Sequence, residues 1–187
     1  MPGSDLEFYK VVYNGQMYFP LWGNWTMRAR TEMGYGDGYA DTEALPFYEH
    51  FFSGGFGSVR GFENSTLGPR TTPALDDPFL EPEGDPFGGN LLLEASLELI
   101  FPLPFVEDSR QFRPVIFFDA GNVFNTQCPE VSVNCFDFDL NELRYSTGIA
   151  ITWLTGLGPM SFSFSKAFKT KDIDEEESFQ FELGRTF

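Results

Sequence analysis

The feature that most constrains this chain is an apolar side chain at every second position, repeated in segment after segment. From Asn90 to Phe101 the odd positions are Leu91, Leu93, Ala95, Leu97, Leu99 and Phe101, while the even ones include Asn90, Glu94, Ser96 and Glu98. A period of two places successive side chains on opposite faces of a β-strand, one apolar and one polar. Met160, Phe162, Phe164 and Phe168 alternate in the same way with Ser161, Ser163, Ser165 and Ala167. Tyr145, Ile149, Ile151 and Trp153 oppose Arg144, Ser146, Gly148, Ala150 and Thr152. Trp25, Met27, Ala29, Met33 and Tyr35 oppose Asn24, Arg28, Arg30 and Glu32, and Tyr9 to Phe19 carries a less regular row. Between Gln111 and Asn125, Phe112, Pro114, Ile116, Phe118 and Ala120 share the apolar side, leaving Gln111, Arg113 and Asp119 on the other. A last segment alternates Phe179, Phe181, Leu183, Arg185 and Phe187 against Gln180, Glu182, Gly184 and Thr186. With a shorter piece at Phe47–Ser53, about eight strands are expected.

Such rows suit either a soluble sandwich or a sheet with one face in lipid. The 19 Gly and 13 Pro interrupt every potential long helix. No stretch approaches the roughly 20 apolar residues of a membrane helix. A mean hydropathy of −0.21 is nonetheless compatible with a membrane barrel, which hides its apolar residues on alternate positions. Continuous rows rich in the chain's 23 Phe favour an all-β, antiparallel transmembrane β-barrel over a sandwich. Short turns at Thr155–Gly158 and Pro102–Pro104 alternate with long connections at Gly55–Gly89, Asn122–Asn141 and Lys169–Ser178. In outer-membrane barrels the long connections face outside. The acidic runs Asp76–Asp77 and Asp174–Glu177 then fall in outer loops as solvated charge. A net charge of −16 without a basic stripe excludes nucleic acid as a partner. Cys128 and Cys135 lie close together in a polar loop, where they form either a local disulfide of an oxidising compartment or two reduced thiols. The opening Met1–Asp5 has no secretory leader, so the chain reads as a fragment of a longer protein.

The longest loop contains Gly54-Gly55-Phe56-Gly57-Ser58-Val59-Arg60-Gly61-Phe62, then Leu67-Gly68-Pro69 and later Gly88-Gly89-Asn90. In order along the chain stand also Pro2-Gly3-Ser4-Asp5, Gly34-Tyr35-Gly36-Asp37-Gly38, Phe117-Phe118-Asp119-Ala120-Gly121-Asn122-Val123 and Phe179-Gln180-Phe181. This ordered set resembles the barrel of the BamA family of outer-membrane assembly factors. The resemblance implies that residues 1–187 are the carboxyl-terminal half of a sixteen-stranded barrel whose other strands and periplasmic POTRA domains are missing here. It implies that residues 55–89 fold back into the lumen and that the loop motif Val59, Arg60, Gly61 and Phe62 meets acids of the wall. Glu98 and Asp119 match those acids, and both lie on the face assigned to the interior by alternation. An Arg60–Glu98–Asp119 cluster is therefore expected to pin the loop, since a guanidinium between two carboxylates is charge-balanced where each group alone would be costly.

The resemblance implies further that the last strand, with Phe179, Phe181, Leu183, Gly184 and Phe187, forms one side of a seam at which incoming strands are templated. The implied partners are the outer-membrane bilayer, nascent outer-membrane β-barrel proteins and, through the POTRA domains, accessory Bam lipoproteins; the implied location is the outer membrane of a Gram-negative bacterium. Plainer roles stand beside these. The cluster can serve barrel stability alone, Gly57 and Gly61 can be backbone permissions for a tight loop, and Phe187 an interface aromatic. A passive pore or a two-partner secretion transporter is the nearest alternative function. Bond chemistry is not expected: the single His50 lacks a serine elbow or zinc partners, and Glu94 and Glu98 stand roughly 13 Å apart along a strand, too far for a glycosidase pair. No catalytic residue, cofactor or metal is assigned.

Overall fold

The computed structural model describes residues 6–71, 84–103, 111–128, 135, 137–156 and 158–184. The expectations placed on Pro2–Asp5, Asp76–Asp77, Pro104, Leu157, Arg185, Thr186 and Phe187 lie outside these residues. Among the described residues seven strands are present: β1 (Phe8–Pro20), β2 (Thr26–Gly38), β3 (Leu91–Ile100), β4 (Phe112–Phe124), β5 (Arg144–Thr155), β6 (Gly158–Phe168) and β7 (Phe179–Leu183). Each pairs antiparallel with the next, so the sheet is an open meander with β1 and β7 at its edges. The first six strands are 10 to 13 residues long. That length crosses a hydrocarbon layer of about 30 Å when the strands are tilted.

Alternation translates directly into burial. Leu97, Phe118, Ile149 and Phe164 are 41 to 59% exposed, whereas Ser96, Asp119, Ser146 and Ser163 on the other face are at most 2% exposed. The apolar side chains thus point away from the protein, the reverse of a soluble core, and the polar face is the one that is covered. Aromatic rings cluster at both ends of the outer face. Trp25 stacks on Phe101 at 5.4 Å and Phe112 on Trp153 at 5.6 Å near the short turns. Tyr9 meets Tyr35 at 6.0 Å and Tyr145 meets Phe168 at 5.9 Å near the long loops. Such belts sit at membrane interfaces, where a ring serves both lipid and water.

The strand expected at Phe47–Ser53 is absent. Phe47–Glu49 is a 3-10 turn, and only single bridges, Phe51↔Gly89 and Ser53↔Leu67, follow it. The cause is that β2 and β3 pair with each other from Thr26↔Ile100 to Tyr35↔Leu91, which leaves no edge for an inserted strand. Segment 47–53 instead crosses the inner face, where Phe51 packs with Leu92 and Val123. His50 ends the 3-10 turn, with its Nδ1 3.0 Å from the Phe87 carbonyl oxygen. Cys128 and Cys135 are joined by a disulfide in the connection between β4 and β5.

Candidate functional site

Residues 39–71 and 84–90, between β2 and β3, return over the polar face. Val59 and Phe62 are fully buried with Leu67 of the same loop and Ala167 of β6. Their apolar side chains seat the loop on the wall, because burying each contributes about 1.5–3 kcal/mol. Gly61 lies between them at φ +92, and a Cβ there would stand 3.3 Å from Ser146 Cβ and Ser165 Oγ. The serine stripe of β5 and β6 therefore has a use: small side chains let the loop backbone approach, and only glycine takes its turn without strain.

Arg60 sits between Val59 and Gly61, almost wholly buried. Its Nε donates to Asp119 Oδ2 at 2.7 Å, its Nη2 to Asp119 Oδ1 at 2.8 Å, and its own backbone N–H to Oδ2 at 3.2 Å. Nη2 also lies 3.0 Å from Glu98 Oε1. The fork of the guanidinium matches the carboxylate of Asp119, the geometry in which such pairs are strongest. Burial opposes the charge of Arg60, but Asp119 and then Glu98 outweigh it and raise its pKa above the ordinary arginine value.

Five neighbours that the sequence had not assigned to the site complete it: Arg28, Ser96, Phe117, Glu94 and Arg30. Arg28 Nε lies 3.1 Å from Glu98 Oε2, so two arginines face two carboxylates and the buried group is neutral overall. Ser96 Oγ donates to Asp119 Oδ1 at 2.6 Å. The Phe117 ring lies 3.6 Å from the Arg60 guanidinium carbon, in cation–π contact. Glu94 accepts hydrogen bonds from Ser53 Oγ at 2.6 Å and from Ser58 Oγ, while Arg30 donates to the carbonyls of Gly57 and Ser58. A second tie therefore holds the turn just before Arg60.

Toward the long-loop end, the same loop meets the connection between β6 and β7. Arg70 donates to Glu175 at 2.7 Å, and Arg144 pairs with Asp174 and Glu142. Of the acidic run Asp174–Glu177, expected to be plain solvated charge, Asp174 and Glu175 are thus engaged. Gln180 of β7 joins the contact through its side-chain amide. The outward Phe179, Phe181 and Leu183 are 47 to 58% exposed, and Gly184 closes the described strand at φ +90. Phe187 lies outside the described residues.

Glu63 shares a hydrogen bond with Glu175, which with the negative charges of Glu175 and Glu177 raises its pKa. A carboxyl whose pKa rises on folding supports the folded contact at low pH. That support is lost as pH climbs from the ordinary carboxylate value through the raised one. At neutral pH the two ionised groups repel, and Arg70 compensates only Glu175. Substituting Glu63→Gln is expected to slow hydrogen exchange of amides 61–63 by roughly twofold at pH 7, with the difference from the unsubstituted protein vanishing near pH 4. A twofold slowing of equal size at both pH values would contradict the charge explanation.

The Omp85 superfamily domain matches residues 1–187. The outer membrane protein assembly factor BamA of Neisseria meningitidis serogroup B is 38% identical over 100% of this chain, and the match covers 25% of that protein. BamA of Nitratidesulfovibrio vulgaris is 28% identical over 99% of the chain and 21% of its own length. The crystal structure of BamA from Haemophilus ducreyi lacking POTRA domains 1–3 superposes with a TM-score of 0.79 and 34% identity, covering 97% of this chain and 35% of that one. The chain thus spans about a quarter of the length of the first two relatives.

Proposed function

The chain belongs to the Omp85 superfamily, and from that premise we propose that it is the carboxyl-terminal half of the barrel of a factor that folds and inserts β-barrel proteins in the bacterial outer membrane. Residues 55–71 and 84–89 then belong to the long extracellular loop folded into the lumen. β7, with Phe179, Phe181 and Leu183 and with Gly184 just after it, is one side of the seam where clients pair. The partners are nascent outer-membrane barrels and lipid, with accessory lipoproteins engaged through POTRA domains elsewhere in the parent protein.

The observation that carries this reading is the seated loop. Arg60 anchors Val59–Phe62 to the wall by a two-pronged bond to Asp119 and an ion pair with Glu98. A passive pore depends on an unobstructed lumen, whereas this loop covers the polar face that would conduct. The second part rests on β7 being the last described strand, paired with β6, and on the general ability of a strand edge to pair with an incoming strand.

The test uses the full-length parent protein. Depletion from cells is expected to leave other outer-membrane barrels unfolded in the periplasm, and proteoliposomes containing the parent are expected to fold added barrels faster than empty liposomes. High steady conductance without any acceleration of folding would favour the pore or the two-partner secretion transporter instead.

A further inference from the structure

Gln180 of β7 is buried, and its side-chain amide bonds the loop on both sides of one turn. Its Oε1 accepts from the Gly61 N–H at 3.4 Å, and its Nε2 donates to the Phe62 carbonyl at 2.7 Å and to Glu177 Oε2 at 3.1 Å. The backbone continues the contact. Glu177 N–H donates to the Gly61 carbonyl at 3.0 Å, Glu63 N–H donates to the Glu175 carbonyl at 2.8 Å, and Phe62 bridges Glu176. Residues 61–63 thus run as a short antiparallel partner to 175–177, the approach to β7. One residue earlier, Arg60 is held by Asp119 of β4 and Glu98 of β3.

From these contacts we infer that Gln180 is a positioning residue that latches the lumenal loop to the seam strand, so that β7 parts from its neighbours only when the loop releases it. This rests on the reading of β7 as a seam strand. The strand is five residues long and pairs with β6 from Phe179↔Phe164 to Leu183↔Met160. The bonds from Ser165 N–H to the Ser178 carbonyl and from Gly184 N–H to the Pro159 carbonyl flank that ladder, and the Gln180 tie adds a hold on the inner face that the ladder does not supply. The contact chain β4, Asp119, Arg60, Gly61 and Phe62, Gln180, β7 links the centre of the sheet to its edge through the loop. Glutamine is suited to the position because it presents an acceptor and a donor together, to the N–H of Gly61 and the carbonyl of Phe62. Leucine has neither, and glutamate would lack the donor while facing Glu177.

The experiment uses the full-length parent in lipid nanodiscs. With Gln180→Leu, hydrogen exchange of amides 179–183 and of amides 60–63 is expected to rise together by about five- to tenfold, the change produced by losing one or two buried hydrogen bonds. Exchange in β5 should stay unchanged. A rise in only one of the two segments, or in neither, overturns the latch. A second variant, Glu63→Cys with Glu175→Cys, ties the loop to the approach of β7. In proteoliposomes its oxidised form is expected to fold an added barrel at least about tenfold more slowly than its reduced form, while the unsubstituted parent responds to reductant by no such factor. Equal rates in the two redox forms would overturn the latch. A parent that folds no barrel at all would instead defeat the proposed function, and the exchange measurement would still decide whether Gln180 couples loop and strand.

Discussion

Replacing Arg60 by alanine in the full-length parent is expected to destabilise the folded barrel by about 3–5 kcal/mol, the cost of removing one partner from a buried ion pair. Arg60 supplies two side-chain bonds to Asp119 and the ion pair with Glu98. Without it, Glu98 keeps Arg28, but among the described residues Asp119 keeps the N–H of residue 60 and the hydroxyl of Ser96. A carboxylate that is 0% exposed cannot recover the loss from bulk water, so the loop lifts from the wall. Urea titration in detergent, followed by the heat-resistant folded band on a semi-native gel, reads the change. The double variant Arg60→Ala with Asp119→Ala leaves the neutral Arg28–Glu98 pair and is expected to be more stable than Arg60→Ala alone by roughly 1–3 kcal/mol, the cost of a buried acceptor left unsatisfied. Arg60→Lys keeps the charge but not the fork and should fall between the two. A double variant whose loss equals the sum of the losses of Arg60→Ala and Asp119→Ala would mean that the pair carries no coupling.

The second large effect lies on the opposite face. Leu97 stands in the middle of β3, between Ser96 and Glu98, and is 49% exposed. Leu97→Arg is expected to cost about 2–4 kcal/mol, as for a cation at the midplane of a bilayer, while Leu97→Phe should be tolerated because fluid acyl chains accommodate its shape. On a water-soluble protein the same exposed leucine would accept arginine within about 0.5 kcal/mol. Folding yield in liposomes compares the two variants. A folded fraction for Leu97→Arg equal to that of the unsubstituted parent would contradict a lipid-facing surface.

Both expectations combine what was legible in the chain with what was not. The faces were legible. Leu97 and Phe118 on one side, and Glu98 and Asp119 on the other, follow from a period of two that needs no knowledge of neighbours. The acids that Arg60 meets were implied by the family resemblance of its loop motif. The segment at Phe47–Ser53 misled because its aromatic run looks strand-like, while its fate depended on β2 and β3 having already used each other's edges. Arg28, Ser96, Phe117 and Gln180 could be assigned to a face but not to a partner.

Alternation by itself determined that this protein is a sheet with an apolar outer face and that Glu98 and Asp119 lie on the inner one, while the family resemblance of the loop motif implied that Arg60 turns toward them. Only the tertiary structure decided the register that sets Arg28 opposite Glu98 and Ser96 opposite Asp119, and the path by which Gly61 and Phe62 reach Gln180 more than a hundred residues away. The reason is physical. The side a residue faces is a local consequence of backbone geometry, whereas its neighbour across strands or loops is settled by long-range pairing whose energies are comparable for several alignments until all of them are satisfied together.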